Sequence, residues 1–170
     1  MQKILLTKKN NKGFSLVEVV MAIGVLSIGL LAVSQLFSKN IKEMMEIRDQ
    51  TTAISLAQEG VELVRNYHDN TPLTPSNNND KKVHINSGNV ELLNNADYTL
   101  YYSAGSPGTF SHLSMGSVAT RFKRKIVINA SSSPKTVTSY VTWDDSTPPS
   151  TTTVCNTATK CIYATMQLFD

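Results

Sequence analysis

Cysteine is scarce in these 170 residues: Cys155 and Cys161 are the only two, and both lie near the C-terminus. Two thiols are too few for a zinc site, and their separation is not the two-residue interval of a redox pair. In an oxidising compartment they would close a short disulfide loop, and in a reducing one they would remain thiols. His68, His84 and His112 fall in no metal-ligand spacing and are expected at the surface. Asp144-Asp145, followed by Ser146 and Thr147, reads as a turn rather than part of a calcium site. Asn129-Ala130-Ser131 matches a glycosylation sequon by pattern alone. The chain has no phosphate loop, dinucleotide fingerprint or recognisable nucleophile motif, so neither an enzyme nor a cofactor is expected.

Acid is missing from the first thirteen residues, which hold Lys3, Lys8, Lys9 and Lys12. Those four lysines account for the whole positive balance: of 16 basic residues, 12 remain against 13 acidic ones, a net of −1. The basicity thus belongs to the N-terminal end, where positive charge holds a segment on the cytoplasmic side of a membrane. It does not indicate nucleic acid. Proline is absent before Pro72, and from Phe14 to Phe37 the sole charged residue is Glu18. A helix over residues 14–37 would reach about 36 Å, enough for a hydrocarbon core of about 30 Å.

A cleaved secretion signal accounts poorly for this stretch, because it exceeds the usual apolar region and carries an acid at its start. A plain single-pass anchor leaves Glu18 without a purpose, and a carboxylate in a bilayer needs a partner. Lys12-Gly13-Phe14-Ser15-Leu16-Val17-Glu18, followed by an unbroken apolar run, resembles the processing motif of type IV prepilins and of type II secretion pseudopilins. The resemblance covers about the first forty residues. It implies cleavage by a prepilin peptidase between Gly13 and Phe14, N-methylation of Phe14, and a role in assembly for Glu18, the fifth residue of the mature chain. Implied partners are other pilin subunits, the peptidase, inner-membrane assembly machinery and the membrane itself. The implied location is the cytoplasmic membrane, and after assembly an extracellular filament. Many pilins carry a proline at the position corresponding to Gln35, and this chain does not.

Beyond Phe37, charged residues alternate with Ile41, Met44, Met45 and Ile47. Ala53, Leu56, Ala57, Gly60, Leu63, Val64 and Tyr67 then recur at helical spacing. The stripe is too short for a coiled-coil stalk. Gly60 within it would let a strand approach closely. The expected class is α+β: a long N-terminal helix, its first half membrane-embedded, packed on a small antiparallel sheet. The expected divisions are a leader at 1–13, a filament-core helix at 14–37, an amphipathic helix at 38–68, a variable loop at 69–97 and a sheet domain at 98–170.

Strand-type runs lie at 98–103, 122–130, 136–143 and 162–169, with Pro134 in a hairpin connection. Arg121, Lys123, Arg124 and Lys125 form the one dense basic cluster past the leader, which reads as a solvated strand face rather than a phosphate-binding patch. The expected role is a minor pilin. The alternatives are a secretion pseudopilin, or an adhesin or DNA-uptake pilin that uses residues 69–97 or the basic strand.

Overall fold

A computed structural model describes residues 13, 15–86, 89–94, 97–103, 109–112, 117–144, 146–149 and 151–169. The chain divides into two compact units, Met1–Met45 and Glu46–Asp170. One helix, α1 (Leu16–Asn70), contributes to both. In the first unit its residues from Leu16 onward are exposed all round. Residues such as Val25 and Leu31 remain 72% and 65% accessible. Water cannot be the native surrounding of so continuous an apolar cylinder. Among the described residues α1 is the one helix long and apolar enough to cross a membrane. Ser27 folds its hydroxyl back onto Ile23 O at 2.8 Å, so the polar atom in the apolar run is internally satisfied.

In the second unit α1 becomes one-sided. Ala53, Leu56, Ala57, Gly60, Val61 and Val64 are buried at steps of three and one, which keeps them on one helical face. Each large apolar side chain buried there contributes about 1.5–3 kcal/mol. Pro72 cannot continue the hydrogen-bond ladder. The chain turns at that point, with Thr71 N donating to Tyr67 O at 2.7 Å and Leu73 N donating to His68 Nδ1 at 3.2 Å.

Among the described residues the sheet has seven strands, all paired antiparallel: β1 (Asn79–Asn86), β2 (Asn89–Leu93), β3 (Thr99–Ser103), β4 (Thr109–Ser111), β5 (Val118–Asn129), β6 (Lys135–Thr142) and β7 (Cys161–Leu168). Its hub is the twelve-residue β5. One edge of β5 pairs with β6 from Lys123↔Thr142 to Asn129↔Thr136. The other edge takes β3 near its start, as in Tyr102↔Val118, and β1 near its end, as in Asn79↔Ile128. β7 pairs with β6 over its full length, and no described strand pairs with its other edge.

The segment 69–97, expected as a loop, instead holds a short 3-10 turn at Pro75–Asn77 and the hairpin strands β1 and β2. Asn79 starts β1 at φ 83°, a conformation that asparagine tolerates better than most residues. Asn78 joins this entry to the β5–β6 connection, accepting from Ala130 N and donating to Ser131 Oγ at 2.7 Å. Such distant backbone partners satisfy a polar stretch that local composition marks as loop.

The helix and sheet enclose two apolar clusters. One gathers Ala53, Leu56, Ala57, Leu100, Phe122, Val141 and Trp143. The other centres on Val64, Leu73, Val83, Ile126, Ile128 and Val137. Gly60 meets Arg124 of β5 and Ser139 of β6: a Cβ there would stand 2.5 Å from Ser139 Oγ and 3.0 Å from Arg124 Cδ. Gly60→Val should therefore lower stability by about 2–3 kcal/mol through overpacking, despite the higher helix propensity of valine. Urea denaturation of the detergent-solubilised protein measures this, and unchanged stability would mean that the helix is not held so close.

Candidate functional site

In the first unit the site is built from the start of α1. Gly13 is exposed, with open space where a side chain would be, and Phe14 lies outside the described residues. Val19 N donates to Ser15 O at 3.2 Å, closing the first turn. Glu18 sits within that turn, where unpaired backbone N–H groups favour a negative charge. It shares an apolar flank with Val19, Ala22, Ile23 and Leu26. No cation among the described residues pairs with it. Glu18 is thus an exposed carboxylate in the otherwise uncharged run from Leu16 to Phe37.

The second unit contains the basic strand, and the expectation of a solvated face fails there. Arg124 is 0% accessible and Lys125 5%. The hub position of β5 explains this, since strands occupy both its edges and α1 covers one face. Arg124 Nη1 donates to Glu59 Oε1 at 3.0 Å and to Leu56 O at 3.2 Å, both on α1. Burial lowers the affinity of the Arg124 guanidinium for its proton, and the Glu59 charge and hydrogen bond raise it again. Lys125 Nζ pairs with Asp80 Oδ2 at 2.7 Å and stands 5.4 Å above the Tyr98 ring. Tyr98 in turn donates to Asp80 Oδ2 at 3.2 Å, and its phenol is pushed up, first by burial and then by that carboxylate.

Arg121 is bonded to Asp49 of α1, and its other amino group lies 3.5 Å from Asp144 Oδ1. Asp144 also takes a hydrogen bond from Lys160, which holds its carboxyl below the usual range. Three of the four basic residues are therefore neutralised by acids far away in sequence. Lys123 is half-buried and also engaged. Asp145 lies outside the described residues, and among those residues no cluster of His, Cys, Asp or Glu could hold a metal ion.

His112, expected at the surface, is 3% accessible. Its Nδ1 lies 2.8 Å from Val83 O and its Nε2 3.0 Å from Arg124 O, so the ring ties β1 to β5 just past the end of β4. Burial first, and the Arg124 charge second, push its pKa from 6.5 down to about 4, against the pull of the two carbonyls. The side chain of His84 is outside the described set, and His68 is half-buried. Cys155 and Cys161 are joined by a disulfide, and both are buried against Tyr140.

Residues 8–34 match the family model described as the prokaryotic N-terminal methylation motif. No curated protein and no solved structure matches the chain. That motif implies processing by a prepilin peptidase and assembly with other pilins, and it points to a structural subunit rather than an enzyme.

Two outcomes test the charges of the second unit. Glu59→Ala strands a buried guanidinium and should cost about 3–5 kcal/mol, whereas Arg124→Met removes the buried charge and leaves a half-exposed carboxylate, costing much less. Equal losses in urea denaturation would contradict this. Between about pH 6.5 and 4 the unfolded chain protonates His112 while the folded chain does not, so stability should fall on acidification. The difference is at most about 3 kcal/mol, and His112→Gln should remove that part of the slope. Together, the match of residues 8–34 to the N-terminal methylation motif and the long helix packed on an antiparallel sheet give this chain a prepilin-type leader signature on a pilin-like architecture.

Proposed function

We propose that the chain is a minor structural subunit of a type IV pilus or pilus-like filament. A prepilin peptidase cuts it between Gly13 and Phe14, the new amine is methylated, and the subunit assembles through its N-terminal helix. The observation that carries this reading is the methylation motif at residues 8–34, leading into an exposed apolar run, up to Phe37, whose one charge is Glu18.

Cleavage would create a cation at Phe14, four residues before Glu18, the spacing at which two groups share a face wherever the chain is helical. In an apolar surrounding neither charge is tolerable alone, and pairing across a subunit boundary offsets both costs while fixing axial register. Before assembly the apolar first part of the same helix, Leu16 to Phe37, serves as a single-pass membrane anchor, because that run is long enough to cross a bilayer. A DNA-receptor role draws no support from β5, where Arg121, Arg124 and Lys125 already pair with Asp49, Glu59 and Asp80.

The protein should be extracted from membranes made with and without a prepilin peptidase, and its mass and N-terminal sequence determined. A chain beginning at methylated Phe14, only where the peptidase is present, is expected. A retained Met1 in both preparations, or a start at Gln35, would overturn the proposal. Glu18→Ala should be processed normally yet enter filaments at least about tenfold less, reflecting loss of an ion pair in an apolar setting. Incorporation at the original level would remove Glu18 from the assembly mechanism.

A further inference from the structure

The connection between β6 and β7 has a composition that its fold does not require. It reads Ser146-Thr147-Pro148-Pro149-Ser150-Thr151-Thr152-Thr153, and no charged residue occurs between Ser146 and Thr159. Surface loops ordinarily rely on charge for solubility. Hydroxyl side chains in turns usually bond to nearby backbone, and some here do. Thr142 Oγ1 donates to Ser146 O at 2.7 Å, and Thr159 Oγ1 donates to Val154 O at 2.8 Å. Thr147 and Thr152 do neither: both are exposed, and neither hydroxyl has a protein partner among the described residues. Thr151 is also exposed, and its hydroxyl only accepts from Thr153 Oγ1 at 3.3 Å.

The segment is nevertheless fixed in place. Pro148 is buried, and Cys155 is buried and bonded to Cys161. Pro148 and Pro149 restrict the backbone at one end, and a 3-10 turn at Thr152–Val154 leads into Cys155 at the other. The disulfide also implies an oxidising location for this face of the protein. A tethered, uncharged, proline-containing run of unbonded hydroxyls is the composition of O-glycosylated segments.

We propose that this connection is an O-glycan acceptor site, with sugars carried on Thr147, Thr151 and Thr152. The donor is a sugar activated as a lipid- or nucleotide-linked diphosphate, transferred by a separate glycosyltransferase. The threonine Oγ1 attacks the anomeric carbon and the C1–O bond to phosphate breaks. The diphosphate carrier leaves with the electron pair, and the hydroxyl proton passes to a base on the transferase. The inference holds whether or not the chain enters a filament.

The test uses full-length protein purified in detergent from the cells that encode it, reduced and digested with trypsin. Cleavage after Lys135 and Lys160 releases residues 136–160 as one peptide. Mass spectrometry with electron-transfer fragmentation should find hexose- or N-acetylhexosamine-type increments on Thr147, Thr151 or Thr152. The triple variant Thr147→Ala, Thr151→Ala, Thr152→Ala should lose every increment while retaining the disulfide and the native circular dichroism spectrum. A peptide found only at its unmodified mass, a phosphate increment, or sugars confined to other residues would overturn the proposal.

Discussion

The second unit depends on how closely α1 approaches β5 and β6 at Gly60. A side chain at that position would collide with Ser139 and Arg124, so the missing Cβ sets the separation of helix and sheet. At that separation Leu56 and Val64 reach the apolar clusters to either side, and Glu59 lies within hydrogen-bond distance of Arg124. The guanidinium retains an Nε and an Nη2 without a partner among the described residues, which makes the pair a poor source of net stability. Its value is in register: a helix displaced by one turn would leave a buried charge unmatched, a penalty that apolar contacts alone do not impose.

The long helix and the N-terminal motif were legible because their signals are local. An apolar run, a solitary Glu18, a periodic stripe from Ala53 to Val64 and a terminating Pro72 each show within a short window of sequence. The basic strand was misread for the opposite reason. Arg121, Lys123, Arg124 and Lys125 look solvated until Asp49, Glu59 and Asp80 are brought to them, and no local pattern announces those partners. The burial of His112 was hidden likewise, since its partners are carbonyls of two other strands.

The β1–β2 hairpin was missed although a signal was present. Val83 and Ile85 alternate on one side of Ser87-Gly88, and Val90 and Leu92 on the other, the pattern of a hairpin with a two-residue turn dipeptide. The asparagines and prolines before it outweighed that alternation. The two units therefore manage charge by opposite means. The apolar run of the first unit, from Leu16 to Phe37, carries Glu18 unpaired among the described residues, whereas the second unit buries several charges and matches them internally.

The open side of β7 has a consequence for how the protein behaves when isolated. Its eight residues, Cys161–Leu168, contain no lysine, proline or glycine, and they leave a row of backbone donors and acceptors unpaired by any described strand. Natural sheets usually blunt such a rim with charge or a bulge. Cys161–Leu168 has neither, so this rim is an edge of the sheet whose backbone can accept a strand from another molecule.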